Sequence, residues 1–141
     1  MSSPVAGTAI GPILAVAVEQ NYPPDRRLIT DDVAYRLLPR ASKAAVVLTR
    51  FGPARELLIR LSDSDAPGIW GGMLRRKRFV DDKLAEALSD GAAAIVNLGA
   101  GLDTRAYRLP AGRAVPVFEV DQPENVEQKR GALLKAPAGG V

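Results

Sequence analysis

The spacing of apolar residues changes at about residue 92 of the chain. Before that point, apolar residues recur three or four positions apart, as on one face of an amphipathic helix. The clearest case is "MLRRKRFVDDKLAEALSDG", which ends at Gly91, where a C-terminal helix cap belongs. The apolar positions of this stretch are Phe79, Val80, Leu84, Ala87 and Leu88. After residue 92, "AAAIVNLGAG" is a continuous apolar run, which predicts a strand buried on both faces of a parallel sheet.

Three other segments of the first part carry weaker signals. The stretch "TDDVAYRLLPR" predicts a helix with Thr30 as its N-cap, Asp31 in its first turn and Pro39 at its end. Residues 42–53, "SKAAVVLTRFGP", suit a helix or a strand equally, because the run is too short for periodicity to decide. Residues 62–72, "SDSDAPGIWGG", are polar and rich in glycine and proline, which predicts a loop.

The second part of the chain predicts alternating strands and helices. "LDTRAYRLP" is a short helical turn that Pro110 ends, and "AVPVFEVDQ" is a second strand rich in valine. "PENVEQKRGALLKA" then predicts a helix with Pro123 at its first position. This order of strand, glycine turn, helix, strand and helix is that of the first part of a doubly wound α/β domain. We therefore divide the chain into an N-terminal helical region, residues 1–91, and an incomplete Rossmann-like region, residues 92–141.

Composition excludes several kinds of chemistry. The 141 residues are 47% hydrophobic and 25% charged, as expected of a globular domain, and the net charge of +3 is too small to require a nucleic acid or an anionic membrane as partner. The chain has no histidine and no cysteine. Their absence excludes disulfides, thiolate nucleophiles, the usual zinc sites and a Ser-His-Asp triad. We predict no metal site.

Two further segments bear on location and partners. The apolar stretch "AIGPILAVAV" has no basic residues before it, contains Pro12 and is too short to span a bilayer, so the sequence predicts a cytoplasmic protein. The basic run Arg75–Arg78 predicts a solvated helix start, with anion binding as the alternative. A DNA-binding role for this run is weaker, because no helix-turn-helix pair accompanies it.

The stretch "IVNLGAGLDTRAYRLP" contains the strongest candidate binding motif. Gly99 and Gly101 lack a Cβ, so a ligand can approach the main chain at the carboxyl end of the first strand, where open α/β sheets bind their ligands. A dinucleotide fold has a third glycine three residues after the second. Thr104 occupies that position here, which disfavours a nicotinamide or flavin ligand.

Two acidic residues at the end of the second strand extend this candidate site. Asp121 lies twenty residues after the second glycine, the spacing at which an acid meets ribose hydroxyls. Glu119 and Asp121 share one side of the strand, because side chains alternate and Val120 faces the other way. One of them is predicted to accept hydrogen bonds from a ribose. The alternative is that they cap the next helix or pair with Arg105 or Arg108.

These residues also carry a family resemblance. "VNLGAGLDTRAYRLP" followed by "VFEVDQP" closely resembles the motif pair of a family of S-adenosylmethionine-dependent methyltransferases. The family is actinobacterial, mostly mycobacterial, and related to leucine carboxyl methyltransferases. "RLITDDVAYRLL" and "RRKRFVDDKLAEAL" resemble two of its upstream segments, so the resemblance runs from about residue 9 to residue 130. It implies a class I methyltransferase fold, S-adenosylmethionine as cofactor and methyl transfer to an oxygen of a small acceptor that the sequence does not identify.

The resemblance also implies roles for individual residues. Gly99 and Gly101 would pass close to the amino acid portion of the cofactor, and Asp121 would bind the ribose. Arg76 would bind the cofactor carboxylate, and Asp103 would orient the turn or a cofactor-bound water. The predicted cofactor-binding residues are therefore Arg76, Gly99, Gly101, Asp103, Glu119 and Asp121.

Two departures from the family pattern qualify the resemblance. Lys77 stands where the family usually has threonine and Asp32 where it often has proline, and neither is expected to touch the cofactor.

Family members also continue for about as many residues again, so we expect a truncated member whose activity depends on a complementing protein chain. The alternatives are a catalytically inactive remnant, a partner-binding fragment and, less favoured, a nicotinamide-binding fragment.

Overall fold

The computed structural model describes residues 10–109 and 114–134, which form a mainly helical chain with one pair of strands. The elements in chain order are α1 (Ile10–Glu19), a 3-10 turn (Pro24–Arg26), α2 (Ala34–Leu37), α3 (Arg40–Leu48), α4 (Gly52–Asp65), α5 (Ile69–Ser89), β1 (Ile95–Leu98), α6 (Arg105–Arg108), β2 (Val117–Val120) and α7 (Pro123–Leu134). The two strands pair in parallel, with Ile95 opposite Val117 and Leu98 opposite Val120. The mixed α/β class and the predicted order of strand, turn, helix, strand and helix are confirmed.

The strands are covered on one face only within the described residues. The side chains of the other face are largely exposed, at 61% for Val96, 74% for Leu98, 57% for Phe118 and 52% for Val120. The prediction that the first strand is buried on both faces is therefore wrong for this part of the chain. The physical reason is that no described helix packs against that face, although its apolar side chains suit a buried sheet.

Helix α1 lies at the centre of the hydrophobic core. Its side chains from Ala15 to Val18 are at most 2% exposed, and they share one buried cluster with Trp70 of α5. The same cluster includes Leu102, and Leu133 of α7 packs against it. The core therefore draws on both of the predicted regions. Among the described residues, no helix has the length and apolar character needed to cross a membrane.

Two predictions for the helical part need correction, and one open alternative is decided. Thr30 does not cap α2, because the backbone N–H groups of Val33 and Ala34 both donate to Oδ1 of Asp31 at 2.9 Å. Residues 62–72 are mostly helical, and only three residues separate α4 from α5. The polar side chains there bond locally: the Ser62 hydroxyl donates to the Leu58 carbonyl at 3.0 Å, which leaves the helix intact. Residues 42–53, which suited a helix or a strand equally, contain most of α3, so the helical alternative is correct.

Helix α5 buries a different face from the one predicted. Phe79 is 62% exposed and Val80 is 40% exposed, whereas Trp70, Leu74 and Lys77 are buried. The buried positions belong to the first half of α5, and this helix packs against α1. Because α5 begins at Ile69, the basic run Arg75–Arg78 lies within the helix and not at its start. Gly91 does follow the helix as predicted, with a φ of +96°.

Candidate functional site

The turn after β1 is held open by two glycines in the left-handed region. Gly99 has a φ of +65° and Gly101 a φ of +43°, conformations that side-chain-bearing residues rarely adopt. The N–H of Gly99 donates to the carbonyl of Val120 at 2.8 Å, which attaches the turn to the end of β2. A Cβ placed on Gly99 would meet no described atom within 4 Å. The space in front of the turn is therefore free for a ligand.

Asp121 fixes the shape of this turn from the neighbouring strand end. Its Oδ2 accepts a hydrogen bond of 2.6 Å from the N–H of Gly101. Its Oδ1 accepts from the N–H of Gln122, the residue before α7, at 2.7 Å and from the side-chain amide of Asn125 in α7 at 2.5 Å. The bond from Asn125, followed by that from Gly101, holds the pKa of Asp121 below its usual value. The carboxylate is therefore ionised and already engaged in three hydrogen bonds.

Glu119 is held by two different side chains. The hydroxyl of Tyr107 donates to Oε2 at 2.9 Å, and the ammonium of Lys129 contacts Oε1 at 2.5 Å. The Lys129 side chain is only 4% exposed. Burial and then the hydrogen bond to Glu119 raise the pKa of Tyr107 to about 12. Within the described residues, neither acid pairs with Arg105 or Arg108, and neither accepts a hydrogen bond from a backbone N–H of α7, so neither alternative role is observed.

The predicted site residues border two adjoining pockets. The first, which we call the glycine pocket, has a volume of about 320 Å³ and includes Arg76, Gly99 and Asp103 in its lining. The second, the acid pocket, has about 340 Å³ and is lined by Glu119 and Asp121 among others. Ala100 and Gly101 border both. The structure thus places the six predicted residues around one turn, but it does not bring them into a single cavity.

Charged side chains pack tightly behind the glycine turn. Asp103 accepts a hydrogen bond of 2.8 Å from the N–H of Arg105 and forms an ion pair with its guanidinium. Arg105 also donates to Oδ1 of Asp81 at 2.7 Å. Arg108 donates to Oδ2 of Asp81 at 2.6 Å and lies 3.3 Å from Oδ2 of Asp31. With Lys77, these residues form what we call the acid–base cluster: Asp31, Lys77, Asp81, Asp103, Arg105 and Arg108.

Lys77 lines the candidate site, although the sequence analysis expected no contact between it and a ligand. It lines the glycine pocket, its ammonium lies 3.7 Å from Oδ2 of Asp103, and its side chain is 10% exposed. A signal for its position existed in the sequence, because Trp70, Leu74 and Lys77 follow a helical period. That period places Lys77 on the buried face of α5, which borders the glycine pocket.

Comparisons with known proteins give a consistent result. A family model described as leucine carboxyl methyltransferase matches residues 9–139. A protein of Mycobacterium marinum named "Putative S-adenosyl-L-methionine-dependent methyltransferase" is 34% identical over 132 residues, which are 92% of this chain and 41% of that protein. A similarly named protein of Frankia alni is 35% identical over 94% of this chain and 41% of its own length. One from Mycobacterium avium is 40% identical over 55% of this chain. The chain spans less than half the length of these curated relatives.

Proposed function

The chain belongs to the leucine carboxyl methyltransferase family, and on that premise we propose that it forms the S-adenosylmethionine-binding part of a methyltransferase. The observation that carries the proposal is the glycine turn, which two positive φ angles hold open above a pocket with cationic residues in its lining. The curated relatives carry the same cofactor in their names. When bound, S-adenosylmethionine supplies a methyl group on a sulfonium for transfer to an oxygen nucleophile.

The residues of the glycine pocket fit the amino acid portion of this cofactor. Gly99 leaves room for close approach to the main chain, and Arg76 lines the pocket with a guanidinium that suits a carboxylate. Arg76 makes no hydrogen bond or ion pair with another described residue, so this part of the chain leaves its donors to a ligand. Asp103 holds the first residue of α6 and thereby the far side of the turn.

The residues of the acid pocket fit a ribose. An ionised carboxylate offers about four acceptor positions. Glu119 uses two of them within the described protein and Asp121 uses three, so Glu119 has the greater capacity left for the two ribose hydroxyls. In this division Glu119 is the main ribose ligand, and Asp121 contributes by keeping the N–H of Gly101 in place and by its remaining acceptor position.

Methyl transfer requires the protein to align the methyl group with the acceptor oxygen and to exclude water. An in-line displacement at a methyl carbon forms a bond from carbon to the acceptor oxygen as the bond from carbon to sulfur breaks, and good alignment supplies much of the rate. No histidine is needed for such a step. The acceptor in this proposal is a small molecule with a carboxylate or a hydroxyl group, in keeping with the family name.

The uncovered sheet face supports a need for further polypeptide in the active methyltransferase. Val96 and Leu98 lie beside Phe118 and Val120, and all four are more than half exposed. Apolar side chains on a parallel sheet are normally covered by helices. We assign this cover to polypeptide that corresponds to the unmatched part of the relatives, for which a complementing chain is one source. The cytoplasmic location stays a prediction.

Isothermal titration of S-adenosylmethionine into the purified chain tests the proposal. We expect saturable binding, with NAD giving none in the same titration. Glu119→Gln should weaken binding, because it removes the charge that favours two ribose hydroxyls. Asp82→Asn is the matched control, since Asp82 is exposed on α5 and outside both pockets. A chain that is folded by circular dichroism and binds no S-adenosylmethionine would contradict the proposal and favour an inactive remnant.

A further inference from the structure

We propose that Lys77 is a second cationic ligand, beside Arg76, for the carboxylate of the S-adenosyl cofactor, and that it makes the glycine pocket selective for ligands that carry this carboxylate. The inference rests on the proposed function and extends it to a residue for which the family resemblance implied no contact. It starts from a buried donor whose hydrogen-bonding capacity the described protein leaves unused.

The position of Lys77 is unusual for a lysine. Its side chain is nine-tenths buried, and it occupies the third position of the buried stripe that Trp70 and Leu74 begin on α5. Lysine is rarely buried to this degree without a close partner, because removing an ammonium from water is costly. The side chain nonetheless borders the glycine pocket, together with Gly99 and Gly101.

The described protein satisfies Lys77 incompletely. The ammonium makes no hydrogen bond to any described residue, and its one ion pair there, with Oδ2 of Asp103, is 3.7 Å long. An ammonium has three donors and forms its strong bonds to carboxylates at about 2.7–2.9 Å. Oδ2 of Asp103 is in addition bonded to the guanidinium of Arg105. Lys77 is therefore the weaker partner of a carboxylate that already has a closer one.

The surrounding charges favour the arrival of an anion. Burial lowers the pKa of Lys77 from its usual 10.5, Asp103 opposes this, and the neighbouring cations Arg105 and Arg108 add to it. A ligand carboxylate at the ammonium would supply the close negative charge that it lacks. Among the charged residues that line the glycine pocket, Arg76, Lys77 and Arg105 outnumber Asp103 by two. After Asp103 is paired with Arg105, two cationic side chains of the lining, Arg76 and Lys77, remain for an anionic group.

Arg76 and Lys77 can act on one group although they are neighbours in sequence. Successive residues on a helix point about 100° apart, so they do not normally face the same partner. Both line the glycine pocket here, with Arg76 exposed and Lys77 buried. The pocket therefore lies against α5 between the two side chains. A carboxylate placed there can receive the guanidinium from the solvent side and the ammonium from the protein side.

The test compares two ligands that differ only in the carboxylate, S-adenosylmethionine and decarboxylated S-adenosylmethionine, by isothermal titration into the full chain. Lys77→Met keeps most of the side-chain volume and removes the charge. We expect it to weaken binding of S-adenosylmethionine by about tenfold, at the lower end for a hydrogen bond to a charged group. Affinity for the decarboxylated ligand should change by less than about twofold. Lys83→Met is the control, because Lys83 lies on the exposed side of α5 and pairs with Glu86.

Each outcome of this comparison has a defined meaning. An unchanged affinity of Lys77→Met for S-adenosylmethionine, or an equal loss for both ligands, would overturn the role of Lys77 and leave the proposed function standing. A wild-type chain that binds neither ligand would overturn the proposed function itself, and this inference with it. If circular dichroism shows that Lys77→Met does not fold, Lys77→Thr takes its place, because threonine is the usual residue at this position in the resembling family.

Discussion

The hydroxyl of Thr104 donates a hydrogen bond of 2.5 Å to Oδ2 of Asp31, which lies 73 positions earlier in the chain. Both side chains are fully buried. Asp31 also binds the first N–H groups of α2, so this one carboxylate connects the start of α2 with the residue that precedes α6. The contact accounts for a threonine at the position where dinucleotide folds have a glycine: the chain needs a hydroxyl there.

Replacing Thr104 by valine should destabilise the fold, because it keeps the shape of the side chain and leaves Asp31 without its hydroxyl donor. We expect the free energy of unfolding to fall by about 1.5–3 kcal/mol, as for hydrogen bonds to charged groups. Chemical denaturation followed by circular dichroism measures it. Thr104→Ser keeps the hydroxyl and should lose less. A serine variant as unstable as the valine variant would show that packing, and not the hydrogen bond, fixes this position.

Gly99→Ala should strain the backbone and weaken ligand binding, whereas Gly91→Ala should only strain the backbone. Gly99 and Gly91 both have a positive φ and open space where a Cβ would stand, but only Gly99 borders the glycine pocket. Each substitution should therefore cost about 1–2 kcal/mol of stability. Only Gly99→Ala should also weaken titration with S-adenosylmethionine. Equal binding by the two variants would mean that the cofactor does not approach this turn.

Tyr107 should ionise late in an alkaline titration followed by tyrosinate absorbance. Its pKa is raised from 10.0 to about 12 by burial and by the hydrogen bond to Glu119. In this interval the folded state keeps a proton that the unfolded state has lost, so stability should fall as pH rises from 10.0 to about 12. Tyr107→Phe should remove the late component, and Tyr35→Phe should leave it in place. A titration that Tyr107→Phe leaves unchanged would contradict the assignment.

The sequence predicted most where local pattern decides the structure. The order from β1 to α7 follows from glycines, prolines and runs of valine, and the same local signals identified Gly99 and Gly101. It predicted less where tertiary contacts decide. Local pattern favoured Thr30 over the adjacent Asp31 as the cap of α2, because the contact that fixes Asp31 comes from Thr104, which lies far along the chain. The grouping of six charged residues behind the turn depends equally on distant segments.

The burial of individual faces was the least predictable property. Phe79 and Val80 have the composition of a core face, yet the first half of α5 provides the buried side chains, because α1 packs there. Lys77 was predicted as part of a solvated basic run, because a charged residue is expected at the surface unless the packing of the helix is known. The candidate site was therefore predicted as a set of motifs, while its division into two pockets required the folded structure.

The central position of α1 has a consequence for the order of events during synthesis. This helix is synthesised before the residues it packs with: its apolar side chains share a cluster with Leu102 and pack near Leu133, which are made much later. At typical rates of translation the helix waits for roughly several seconds before these partners exist. Ile13, Val16 and Val18 lack part of their buried surroundings throughout that interval, so we expect the nascent chain to bind chaperones that recognise short apolar segments. The core of this protein is completed only after the glycine turn and α7 have been synthesised.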